Sequence, residues 1–165
     1  MDPVPLAPSL SRAPLTPGWA AAAALALAVV ALAASPTVLG FEGGAVVAGA
    51  FAPFCHQIAE RSPHLHGVPF ALCHRCTGVV AGLAIGLLVG PLAPRLLARL
   101  GAAHPLAVLA GAAVPTTVDW LLGVSGVLAN TGASRLGTGA FFGVAAGLLL
   151  AAAFCAPRRV TQPPL

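Results

Sequence analysis

The sequence predicts an all-α membrane protein: a four-span transmembrane helical bundle with a short interfacial helix before a Cys-His-Gln motif. Three observations carry this. Hydrophobic residues make up 58% of the 165-residue chain and charged residues 7%, against about 25% charged residues in a soluble domain. The apolar residues come in long uninterrupted runs, as a hydrocarbon core requires. The polar residues are instead concentrated: Cys55 to Gly78 holds three of the four cysteines and four of the five histidines.

Residues 1–18 carry five prolines and no apolar periodicity. Proline cannot donate a backbone hydrogen bond, so a disordered tail is expected. Residues 19–34 form the first span. At 1.5 Å rise per residue they reach about 24 Å, slightly short of a ~30 Å core. Trp19 suits the membrane interface, and Ser35-Pro36 stops the helix. Ala31-Leu32-Ala33 has the small-x-small pattern of a signal-peptide cleavage site, but the long proline-rich lead with one Arg argues against cleavage.

Residues 41–54 are apolar but too few for a comfortable span, so a short interfacial or re-entrant helix leading into Cys55 is expected, with a fifth span as the alternative. The second span covers 77–92 and carries Gly78, Gly82, Gly86 and Gly90. Glycines at every fourth residue lay a groove down one face, where another helix backbone can come close. Pro91 and Pro94 end it. The third span covers 105–124, with Asp119 inside it. A polar loop, 125–137, holds Asn130, Ser134 and Arg135. The fourth span covers 138–156, with Gly139, Gly143 and Gly147 again at four-residue spacing. The transmembrane domain is thus 19–156, followed by a second disordered tail, 157–165.

Four spans place Arg12, Arg95, Arg99, Arg158 and Arg159 on one side of the membrane, against Arg61, Arg75 and Arg135 on the other. Positive-inside counting favours a cytoplasmic N-terminus in a multi-pass cell-membrane protein, with the Cys/His stretch facing outward. The net charge of +4 is small and is read as topology; the lipid bilayer is the expected partner and nucleic acid is not. A faint internal echo joins Arg75-Cys76-Thr77-Gly78 at the second span to Arg135-Leu136-Gly137-Thr138-Gly139 at the fourth. It suggests two similar hairpins packed through their glycine ladders.

The chemistry lies in Cys73-His74-Arg75-Cys76. A CxxC pair presents two thiolates to one metal or closes a small disulfide for redox exchange. It stands at a helix N-terminus, where unpaired N–H groups and the helix dipole favour thiolate, and Arg75 adds positive charge. Both uses need thiolate, so position alone does not choose between them. Cys55 makes a third sulfur, and a histidine would complete a tetrahedral Cys₃His zinc site. His56, His64, His66 and His74 are the candidates. On a helix, adjacent Cys55 and His56 would point about 100° apart; His64 and His66 read as solvated loop residues. His104 sits in the basic loop and has no assigned role. Cys155 lies at the opposite membrane face. Asp119 is a carboxylate inside an apolar span, which needs a partner. Arg135 is the expected ion-pair partner, with a role in orienting a ligand His or accepting a proton as the alternative.

Phe54-Cys55-His56-Gln57, Glu60-Arg61-Ser62 and Cys73-x-Arg75-Cys76-Thr77-Gly78 together resemble the domain-of-unknown-function family 2085, small predicted bacterial and archaeal membrane proteins. The resemblance covers roughly residues 50–147 and extends to Asp119, Arg135 and Thr138-Gly139. Members commonly carry a small residue at the place of His74, which counts against His74 as a ligand. The chain also departs from the family at Pro63, where an aromatic is common, and at Trp120, where Gly is common. The resemblance implies a fold and a site but no established activity.

The expected site has Cys55, His56, Cys73 and Cys76 around a metal, zinc by ligand type. Arg61, Arg75, Asp119 and Arg135 surround it. The leading function is a metal-binding membrane protein. The alternatives are a thiol-disulfide oxidoreductase passing electrons from Cys73 and Cys76 to a quinone, with Cys55 resolving, and a transporter or assembly protein whose cysteines brace the fold. The residues specify a site and no reaction.

Overall fold

The computed structural model describes residues 15–99 and 104–155. Most of both expected tails lies outside the described residues. The first helix, α1 (Pro17–Ala34), starts earlier than expected. Pro17 stands in its first turn, where a missing N–H costs nothing, and the Thr16 hydroxyl caps it by accepting from the Trp19 N–H at 3.2 Å. The chain breaks at Ser35 and resumes at once as α2 (Pro36–Phe51). Gly40, at φ 71°, interrupts α2 with a conformation that favours glycine. The part of α2 beyond Gly40 is the short helix expected before Cys55.

A single-turn 3₁₀ helix (Ala59–Arg61) and a two-residue hairpin, β1 (His64–Leu65) with β2 (Val68–Pro69), make the loop. His66 and Gly67 both have positive φ, the backbone of a tight hairpin turn. His64 and His66 are exposed. Then come α3 (His74–Leu88), a 3₁₀ turn (Gly90–Leu92), α4 (Ala93–Arg99), α5 (Pro105–Val124) and α6 (Gly132–Cys155). α3 starts three residues earlier than expected, and it ends earlier because the chain turns by 102° into α4 ahead of Pro94. α6 starts six residues early, so Arg135 lies on a helix and not in a loop.

Three helices, α1, α5 and α6, are long and apolar enough to cross a membrane, and there is a fourth span if α3 and α4 count as one bent unit. The directions alternate. The start of α1 meets the ends of α6 and α3: Thr16 donates to the Phe154 carbonyl at 3.2 Å, and the Trp19 indole to the Leu87 carbonyl at 2.7 Å. The end of α1 lies against the Cys/His loop, where the Ala71 N–H donates to the Ala33 carbonyl at 2.9 Å. One end of the bundle therefore gathers the starts of α3 and α6 and the ends of α1 and α5.

α3 and α6 run parallel and form the centre. A Cβ at Gly78 would land on the Leu136 carbonyl oxygen, and one at Gly82 on that of Ala140. A Cβ at Gly139 would land on the Arg75 carbonyl, at Gly143 on that of Val79, and at Gly147 on that of Leu83. The relation is reciprocal: each glycine meets the carbonyl one turn before its counterpart on the other helix. Gly90 is different, since it lies under the Trp19 indole and not against α6. Around this seam, Ala23, Ala26, Ala84, Leu87, Leu148 and Ala151 form the buried core. α5 stands at the edge with only Ala112 buried.

Candidate functional site

The site begins where α2 ends. Cys55 and His56 come after its last turn, in irregular backbone. They are therefore not bound by the helical spacing that would separate them. Gln57 holds this segment. Its backbone is left-handed, at φ 51°, an uncommon state for a residue other than glycine. Its side-chain amide donates to the Ala48 carbonyl at 2.7 Å and the Ala71 carbonyl at 2.9 Å. One side chain thus ties the end of α2 to the strand of chain entering α3, and sets Cys55 beside the CxxC.

The result is a cluster of three sulfurs. The Sγ atoms of Cys55, Cys73 and Cys76 lie within 4.8 Å of one another. Cys55 is buried against Ala33 and Leu72. Cys73 caps α3, and its N–H donates to the Cys55 Sγ at 3.3 Å. All three are free thiols. The two CxxC thiols share one hydrogen bond with opposite effects: it holds the Cys73 thiol well below the usual range, outweighing burial, and with burial it pushes the Cys76 thiol up.

No histidine or carboxylate joins the sulfurs at that distance among the described residues. His56 is exposed and lines the cavity in front of them. His74 is turned elsewhere, its Nδ1 2.7 Å from the Arg61 carbonyl and its Nε2 against Gly132. Cys155 is buried at the far end of α6.

Asp119 finds a partner, but not Arg135. Its carboxylate pairs with the Arg75 guanidinium. Asn130 donates to both the carbonyl and the carboxylate of Asp119, and Arg135 donates to the Asn130 side-chain oxygen at 3.1 Å. The expected Asp119–Arg135 ion pair is thus replaced by a chain running Arg75, Asp119, Asn130, Arg135. The Arg75 side chain spans from the first turn of α3 to Asp119 on α5, and the Arg135 guanidinium is engaged by the Asn130 side chain, which itself bonds to Asp119. Asn130, the only asparagine in the chain, was missed as a site residue. Its uniqueness beside an intramembrane carboxylate was the available signal. Gly123 leaves room for it, since a Cβ there would strike the Asn130 amide.

A cavity of about 490 Å³ lies beside these groups. Its walls include all three cysteines of the cluster, His56, Arg61, Arg75 and Arg135, with Phe54, Trp120 and Val124 on the apolar side. Three adjacent thiols beside such a cavity can hold a soft or borderline metal ion, or exchange a disulfide. The family described as predicted membrane protein (DUF2085) matches residues 55–149. No curated protein and no solved structure matches the chain.

Proposed function

We propose, for a chain that belongs to the DUF2085 family of predicted membrane proteins, that it is a multi-pass membrane protein binding one zinc ion through Cys55, Cys73 and Cys76. His56 stands on the cavity side as the protein donor for the fourth position. The observation that carries this is the mutual approach of three free sulfurs to within 4.8 Å. Thiolates on a tetrahedral zinc lie about 3.8 Å apart, while bonded disulfide sulfurs lie about 2.05 Å apart. The start of α3 supports the reading further, because its N–H groups favour the deprotonated form that a metal requires. Arg75, between the two CxxC cysteines, adds positive charge beside the thiolates while its guanidinium pairs with Asp119. Bound metal would tie the Cys55 loop to α3. In this reading the Cys/His end of the bundle faces outward and the N-terminus is cytoplasmic, as the positive-inside count of arginines in the sequence favours.

Cobalt substitution tests the reading. Co²⁺ bound by three thiolates gives strong sulfur-to-cobalt charge-transfer absorption. Cys55→Ser, Cys73→Ser and Cys76→Ser should each weaken that band, and His56→Ala should shift the ligand-field bands while leaving the charge transfer. Full charge transfer in Cys55→Ser contradicts a three-sulfur site.

A second reading has its own support in the closeness of the Cys73 and Cys76 sulfurs, within 4.8 Å of each other and of Cys55. Cys73 and Cys76 would form a disulfide, passing two electrons and two protons to a quinone bound in the cavity, with Cys55 able to attack the disulfide. Its mark is a reducible Cys73–Cys76 disulfide in metal-free protein, preserved in Cys55→Ser.

A further inference from the structure

We propose that the cavity beside the sulfur cluster binds an amphiphile with one anionic head group, carboxylate or phosphate. Arg61 and Arg135 hold the head, and Phe54, Trp120 and Val124 lie along the apolar part.

Four observations converge on this. The cavity, about 490 Å³, is within the range of small-molecule sites. It lies at the end of the parallel α3/α6 pair, beside the sulfur cluster. Its charged lining is of one sign: Arg61, Arg75 and Arg135 border it, with no Asp or Glu among the lining residues. Neither Arg61 nor Arg135 is paired with an acidic side chain among the described residues. Arg75 is bound to Asp119, yet its buried Nε–H has no hydrogen-bond partner. Buried donors are normally satisfied, so a donor is left over beside a basic cavity.

The apolar wall completes the argument. Phe54 is 81% exposed, Trp120 50% and Val124 68%. Trp120 and Val124 belong to the last turns of α5, at the bundle edge, so the cavity has a greasy flank open toward lipid. A small inorganic anion would use the arginines and leave this flank without a role; an apolar molecule would leave the arginines without one. An amphiphile uses both. Charge fixes the head group more narrowly, and this clause rests on the metal reading: zinc with three thiolates carries one negative charge and Asp119 another, so the three arginines leave one positive charge for the ligand. Guanidinium groups suit carboxylate and phosphate oxygens.

The test is equilibrium binding to the full-length chain in a neutral maltoside detergent, with laurate, dodecanol and inorganic phosphate as probes and bound metal measured in every sample. Laurate should bind saturably at one per chain, at least tenfold tighter than dodecanol or phosphate. Arg135→Gln and Arg61→Gln should each weaken laurate at least fivefold and leave metal content unchanged. If Arg135→Gln does not fold, Arg61→Gln carries the test, since Arg61 is exposed and outside the long helices. Displacement of laurate by phosphatidylglycerol in nanodiscs would support the proposal with a lipid as the source; retention of arginine-dependent laurate binding would support it with a free carboxylate. Equal binding of dodecanol and laurate, phosphate binding as tight as laurate, or laurate affinity within twofold of wild type in both variants would overturn it. Loss of metal with arginine-dependent laurate binding intact would overturn the zinc reading alone.

Discussion

The α3/α6 seam and the attachment of α5 are held by opposite means. The seam is backbone on backbone, with glycine on both sides and no space for a methyl group. α5 lies along α6 with one buried residue, Ala112, and is tied to α3 by the Arg75–Asp119 ion pair. In lipid, where apolar side chains gain little by leaving their surroundings, close packing and polar links are the two forces that join helices. The first is rigid and exclusive. The second tolerates change in geometry and sits directly on the candidate site. This contrast separates a tightly packed frame, α3 with α6, from a sparsely buried helix, α5, whose link to α3 is an ion pair beside the candidate site.

The largest expected effect breaks the frame. Gly143→Val would drive a side chain into the Val79 carbonyl and should destabilise the protein by about 3 kcal/mol. Thermal unfolding in detergent measures this. Retained wild-type stability would mean that the two helices do not pack through glycine.

Next comes the link to α5. Asp119→Ala leaves the Arg75 guanidinium without its carboxylate. A buried pair broken this way costs about 3–5 kcal/mol, but the Arg75 side chain is 23% exposed, which reduces the expectation to about 2 kcal/mol. A double-mutant cycle of Asp119→Ala with Arg75→Gln should show coupling of at least about 1 kcal/mol. The same cycle with Arg135→Gln should show less, because Arg135 reaches Asp119 only through Asn130. Equal coupling would restore the Asp119–Arg135 pairing read from the sequence.

Gln57→Ala removes two hydrogen bonds to buried segments and should cost about 1–2 kcal/mol, measured by the same unfolding assay. It should also loosen Cys55, so cobalt binding should weaken with it. The smallest effect serves as the control. Gly137 is on α6 but meets nothing within 4 Å of an added Cβ, so Gly137→Ala should be neutral or stabilise by up to about 1 kcal/mol. A loss as large as that at Gly143 would remove the distinction between seam and surface.

The frame was legible because glycine spacing is a direct record of backbone approach. Gly78, Gly82 and Gly86, with Gly139, Gly143 and Gly147, name both helices and the faces that meet. The site was legible in composition, since Cys55, Cys73, Cys76, Arg75 and Asp119 stand out in an apolar chain. Its wiring was not. Helices of Ala, Leu and Val carry little amphipathic signal when lipid replaces water, so the choice of Arg75 over Arg135 as the partner of Asp119 could not be read from periodicity. Helix limits failed for a related reason. Gly132 to Gly137 looks like loop composition, yet it begins α6, capped by Thr131, whose hydroxyl accepts from the Ser134 N–H at 3.0 Å. Gly90 continued the glycine rhythm in sequence but serves Trp19, because the chain has already turned out of α3 there.

The most direct test of the central claim counts metal and free thiols in the same sample of protein purified in mild detergent. About one zinc per chain is expected, with three thiols shielded from alkylation until a chelator removes the metal. Metal-free protein in which Cys73 and Cys76 are joined by a reducible disulfide would contradict the account.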